Sequence, residues 1–173
     1  DALPISYTPQ RNFYYLTNID RPKMAYVLKK MNGVIEHHLF IETVSEVEEK
    51  WTGKRLSKEE AHEISGIKSI LPICELENVL GRWLLNDRIE SIYLDLERGS
   101  YHHPDTVQIE FAKQLKEKYP FVRLENVYHD ITKLRLIKSE DEIENMRTAI
   151  EKTRIGIESL MKASKPGMLE YQI

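Results

Sequence analysis

Cysteine is almost missing from this sequence. Cys74 is the only one in 173 residues, so neither an internal disulfide nor a cysteine-based zinc cluster can form. It lies in the apolar run Ile70, Leu71, Ile73 and is expected as a small buried thiol. Glycine is sparse as well: seven residues, scattered singly, with no Gly-rich phosphate cradle and no Gly-x-Ser-x-Gly elbow. A dinucleotide cofactor on a doubly wound sheet is therefore disfavoured. There is no apolar stretch of about 18 residues and no signal-peptide pattern, so no membrane association is expected and a cytoplasmic location is the default. An excess of positive charge is absent too. Lys and Arg total 25 against 28 Asp and Glu, a net charge of -3, which gives no clustered basic surface for nucleic acid.

What is present suffices for a globular core, with 41% hydrophobic and 31% charged residues. The length fits one ordinary domain plus an appendage. The strongest local signal is Ser139-x-x-Glu142, a capping box in which the hydroxyl takes the third helical amide and the Glu reaches back to the cap. Glu140 and Asp141 add negative charge at the positive end of the helix dipole. Behind them Ile143, Met146, Ile150, Ile157, Leu160 and Met161 recur at helical spacing until Lys165-Pro166-Gly167 stops the run. The pattern predicts an amphipathic helix of roughly 25 residues. Its apolar stripe has little chain left to pack against, so it reads as the first element of a further domain.

Upstream, Met24 to Lys30 and Val34 to Glu42 are apolar-rich runs joined by Met31-Asn32-Gly33, which predicts a β-hairpin because both turn residues tolerate positive φ. Ser45 to Lys50 is a short acidic helix candidate ending at Trp51-Thr52-Gly53. Ser57-Lys58-Glu59-Glu60 is a second capping box, opening a helix that Ser65-Gly66 closes. Then come a strand over 67–73, a helix over 75–86, a strand over 91–96, a helix over 104–119 and a last strand over 121–127. A hairpin followed by alternating helices and strands predicts an α/β fold, a mixed β-sheet flanked by helices. The expected division is a first domain over 1–129, a linker over 130–138 and the start of a second domain over 139–173.

Candidate chemistry is thin. His37 and His38 are adjacent on a strand, so they face opposite ways and cannot share an ion. His102-His103 precedes a helix with Asp105 nearby, but reads as a solvated turn. His62 and His129 have no partner at ligand spacing, and no metal site and no catalytic residue is expected among these residues. Asp95 and Glu97, at a strand end, are expected in solvent. Trp51, between charged segments and just before a Gly, has no register to hold it in a core. It is either a partly buried loop aromatic or an exposed one offered to a partner.

Four tracts, in order, resemble one family. They are Arg11-Asn12-Phe13-Tyr14-Tyr15-Leu16-Thr17, Trp51-Thr52-Gly53-Lys54-Arg55-Leu56, Arg135-Leu136-Ile137-Lys138-Ser139-x-x-Glu142-Ile143 and Lys165-Pro166-Gly167-Met168-x-Glu170-Tyr171. Together they resemble the Xaa-Pro aminopeptidases (aminopeptidase P) of the creatinase/prolidase superfamily, over essentially the whole chain. The resemblance implies a creatinase-like N-terminal domain up to about His129, with the helix from Ser139 opening the catalytic pita-bread domain. It implies two divalent ions, usually manganese, held on Asp, His and Glu residues beyond Ile173, a substrate with proline second, and a homo-dimer or higher homo-oligomer. This chain is then expected to be inactive alone. The resemblance also implies that Trp51 reaches towards a neighbouring subunit's active site and restricts access; Arg55, in the same tract, is a candidate to support its loop. The dipeptidase relative prolidase and a stand-alone α/β binding or scaffold protein are the alternative readings.

Overall fold

Asn32 and Gly33 both take positive φ, 51° and 79°, the turn geometry whose twist matches that of the flanking strands. Strand β1 (Ala25–Met31) therefore folds back antiparallel on β2 (Val34–Ile41), in the register Ala25↔Phe40 to Met31↔Val34. Strand β3 (Ser69–Pro72) joins β2 from the other side in parallel, His38 opposite Ser69, so the order is β1-β2-β3 and the sheet is mixed. The computed structural model describes residues 7–169 of the chain. Glu170 and Tyr171, the end of the last family-like tract, lie outside the described residues.

The centre of this sheet is also the centre of the core. Leu39, Phe40 and Ile41 at the end of β2 are all fully buried. Consecutive strand residues point to opposite faces, so both sides of β2 must be covered. Ile19, Leu39, Ile41, Ala61, Ile67 and Ile70 form one cluster, with Phe13, Met24, Tyr26 and Leu56 packed against it. Each fully buried Leu, Ile or Phe of this core stabilises the fold by about 1.5–3 kcal/mol through burial.

The helices that flank the sheet begin where short-range chemistry dictates. Helix α1 (Arg11–Thr17) is capped by the Gln10 side chain, which accepts from the Phe13 amide at 2.6 Å, and ends at Asn18 in the left-handed region. Helices α2 (Glu46–Thr52) and α3 (Lys58–Ser65) both open on complete capping boxes, at Ser45 and Ser57. Helix α4 (Leu76–Asn86) follows a 3₁₀ turn over Ile73–Glu75 and sets Trp83 against the His38 ring at 4.9 Å. Strands β4 (Ser91–Leu94) and β5 (Arg123–Asn126) pair in parallel as a separate two-stranded sheet, with α5 (Val107–Lys118) between them in sequence.

The chain divides into two units, Asp1–Thr132 and Lys133–Ile173. The boundary falls inside α6 (Tyr128–Leu136), so the stretch expected as a linker begins as helix. In the second unit α7 (Glu140–Ala163) is 24 residues long and starts on the complete Ser139–Glu142 capping box. No residue of α7 is buried, and Met146, Ile150, Ile157 and Met161 are exposed.

Two further expectations are corrected. Cys74 is exposed rather than buried: the turn at Ile73–Glu75 breaks the strand period, so the apolar run does not carry the thiol inward. Arg11 to Thr17, where the pattern predicts no helix, is α1. Its cap is a glutamine, outside the usual Ser, Thr, Asp and Asn set.

Candidate functional site

Trp51 stands on the last turn of α2 with 86% of its surface exposed. The expected loop is thus a helix end, and the side chain points into solvent rather than into a core. Val47, one turn earlier on the same helical face, is exposed as well. The result is a small apolar face on a seven-residue helix.

The backbone turns sharply just after the Trp. Gly53 has φ 87° and ψ 159°, a combination that side-chain-bearing residues essentially do not adopt. Its amide donates to the Glu49 carbonyl at 2.9 Å, closing α2. The Glu49 carboxylate then accepts from the Arg55 amide at 3.0 Å, so one residue of α2 holds both sides of the turn. Arg55 Nε meets Glu42 Oε2 at 2.8 Å, and Lys23 Nζ meets Glu42 Oε1 at 2.6 Å. The Lys23 ammonium, followed by the Arg55 guanidinium, holds the Glu42 carboxyl below the usual carboxylate range. Lys54 pairs with Glu60, which also closes the α3 capping box by accepting from the Ser57 amide at 2.9 Å.

The histidines are occupied separately. The Tyr26 hydroxyl bonds His37 Nδ1 at 2.7 Å, Ser69 Oγ bonds His38 Nδ1 at 2.8 Å, and His62 Nδ1 lies 3.0 Å from the Ile67 carbonyl. His102 meets Tyr101 edge to face, while Asp105 pairs with Arg98 and Lys113 instead of a histidine. Among the described residues no group of three His, Cys, Asp or Glu side chains is placed to hold a metal ion. Asp95 is not in open solvent as expected. It is half-buried, and its Oδ2 accepts from Gln10 Nε2 at 2.6 Å and Asn12 Nδ2 at 2.9 Å, which ties the start of α1 to the end of β4. An open depression of about 370 Å³ includes His38, Ser69, Glu75 and Trp83 in its wall. Nearby, Lys29 is occupied by Asp87 at 2.7 Å and by the Trp83 ring.

Sequence reasoning singled out Trp51 and Arg55 but missed Glu42, Lys23 and Glu49. Glu49 lies two residues before the Trp on the same helix, but no fixed spacing links Glu42 or Lys23 to it. Glu42 closes a strand, Lys23 precedes one, and only tertiary folding brings them to the same turn.

The family described as Aminopeptidase P, N-terminal domain matches residues 1–93. The Xaa-Pro aminopeptidase of Haemophilus influenzae is 29% identical over 161 residues, which are 93% of this chain and 35% of that protein. An aminopeptidase P structure from Bacillus anthracis superposes with a TM-score of 0.91 at 40% identity, covering 96% of this chain and 40% of that one. A zinc-substituted Escherichia coli aminopeptidase P in complex with product gives 0.76 at 25% identity, over 96% and 38% of the two chains. The chain thus spans little more than a third of the length of these relatives. The matched residues are more than half of the chain and contain the hairpin, the buried centre of β2 and the exposed Trp51 turn, and the chain belongs to the aminopeptidase P N-terminal domain family.

Proposed function

We propose that this chain is the access-limiting N-terminal lobe of a metal-dependent Xaa-Pro aminopeptidase, which releases the N-terminal residue from peptides with proline second. In this reading Trp51 is offered to the active-site opening of a neighbouring subunit in a cytoplasmic homo-dimer or higher homo-oligomer. The observation that carries it is the exposure of Trp51, at 86%, on a turn fixed by Gly53, Glu49 and Arg55. A rigidly presented indole in water gains from desolvation against a partner, about 25 cal/mol for each Å² of apolar surface covered. Flat aromatic anchors of this kind carry much of the energy of protein contacts.

The resemblance implies two divalent ions, usually manganese, in the whole enzyme, and one relative is a zinc-substituted form. The described residues of this chain do not fit such a pair, since no three donor side chains converge. In this reading hydrolysis belongs to residues outside those described. The lobe's contribution is geometric, deciding which peptides reach the opening.

A photo-crosslinking amino acid at position 51 of the full-length gene product tests the arrangement. The expected outcome is a covalent dimer whose attached peptide maps to the catalytic region of the second subunit. Crosslinks confined to a single subunit, or none in an assembled oligomer, contradict it.

A further inference from the structure

We infer that Glu42 is a positioning residue for Trp51: through Arg55 it ties the turn after α2 to the end of β2, and so fixes where the indole is offered. Among the described side chains of α2, Val47, Glu48, Lys50 and Trp51 are exposed and Glu49 is only half-buried. None of these side chains anchors the helix in the core. A seven-residue helix does not persist alone in water, because nucleation is costly and there are few hydrogen bonds to offset it. The position of α2 must then be set from its ends.

The upstream end is held to β2 by the short run 42–45 and by the local Ser45 capping box, which place the helix start but do not fix the direction of the helix. The downstream end is different. Leu56 packs against the core cluster, and Arg55 beside it pairs with Glu42 at 2.8 Å. Glu42 directly follows β2, whose last three residues are fully buried, so it extends from the most deeply buried stretch of the sheet. Glu42 and Arg55 side chains are 17% and 30% exposed, whereas Lys23 is 67% exposed. Lys23 makes the shorter contact, yet water screens it more, so Arg55 is the partner that carries position. Because the Arg55 amide is also bound by Glu49 of α2, a shift of Arg55 is passed to the helix that bears the Trp.

The consequence for access rests on the role proposed for Trp51, but the positioning itself does not, and the experiment separates them. The protein has two Trp residues, so 5-fluorotryptophan labelling gives two fluorine resonances, assigned with Trp51→Phe. In Glu42→Gln and in Arg55→Met, the Trp51 resonance is expected to move towards the free-indole position and narrow while that of Trp83 stays, with Arg55→Lys in between. An unmoved Trp51 resonance in both variants, or an equal shift of both resonances, overturns the inference. If the resonance moves as expected but full-length Glu42→Gln treats long and short Xaa-Pro peptides like the parent, the positioning stands and the access role of Trp51 falls.

Discussion

At the scale of single residues, Glu42 links charge to shape. Its carboxyl titrates below the ordinary 4.5 because Lys23 and Arg55 stabilise the charged form. For a group with a depressed folded pKa, the stabilisation is complete above the unfolded value and is lost as pH falls through the folded one. Acidification below about pH 4.5 is therefore expected to loosen the Trp51 turn. The Trp51 fluorine signal followed down a pH titration should move in the parent and lose that step in Glu42→Gln. A step of the same size in both would assign the acid response to other carboxylates. Asp95 shows a different use of a carboxylate, for one oxygen gathers Gln10 and Asn12 and so joins segments more than eighty positions apart in sequence. Nothing local announces such a bond, which is why the sequence pattern led to an expectation of solvent exposure there.

At the scale of elements, what could be read in advance is what is encoded locally. The Asn32-Gly33 hairpin, the short helix from Ser45 and the capping boxes at Ser57 and Ser139 follow from residues within four positions of one another. Helix α1 was invisible because its cap is Gln10 and its aromatics give no clean helical stripe. The separation of β4-β5 from the mixed sheet was hidden too, since strand partners are chosen by distant chain. Cys74 was misplaced by assuming that the strand period continued through the 3₁₀ turn. Helix α7 offers a test of the local code in isolation. With no residue of it buried, its start depends on the Ser139 box and the acids of the first turn. Ser139→Ala is expected to destabilise that start by about 1 kcal/mol, read as lost helical circular dichroism and an earlier melt. An unchanged melt would mean that the helix is fixed by something other than its cap.

At the scale of the whole molecule, the role proposed for this lobe is to shape access, with the chemistry carried elsewhere. The donors that metal-assisted hydrolysis requires do not converge among the described residues. The 173-residue chain, incubated with manganese and an Xaa-Pro peptide, is expected to release no N-terminal residue; turnover above a metal-only control would relocate the active site. Only Trp51 and Arg55 of the candidate site were legible in advance. An aromatic before a Gly between charged runs stands out by type, whereas its support from Glu42, Lys23 and Glu49 exists only once β1, β2 and α2 are folded.

The most direct measurement is kcat/KM of the full-length gene product with and without Trp51→Ala, on a short and a long peptide that share the same Xaa-Pro start. Loss of the indole is expected to raise the rate for the long peptide relative to the short one, with the short peptide's kcat preserved. Equal ratios in the two proteins, within an assembled oligomer, would contradict the claim that Trp51 limits access.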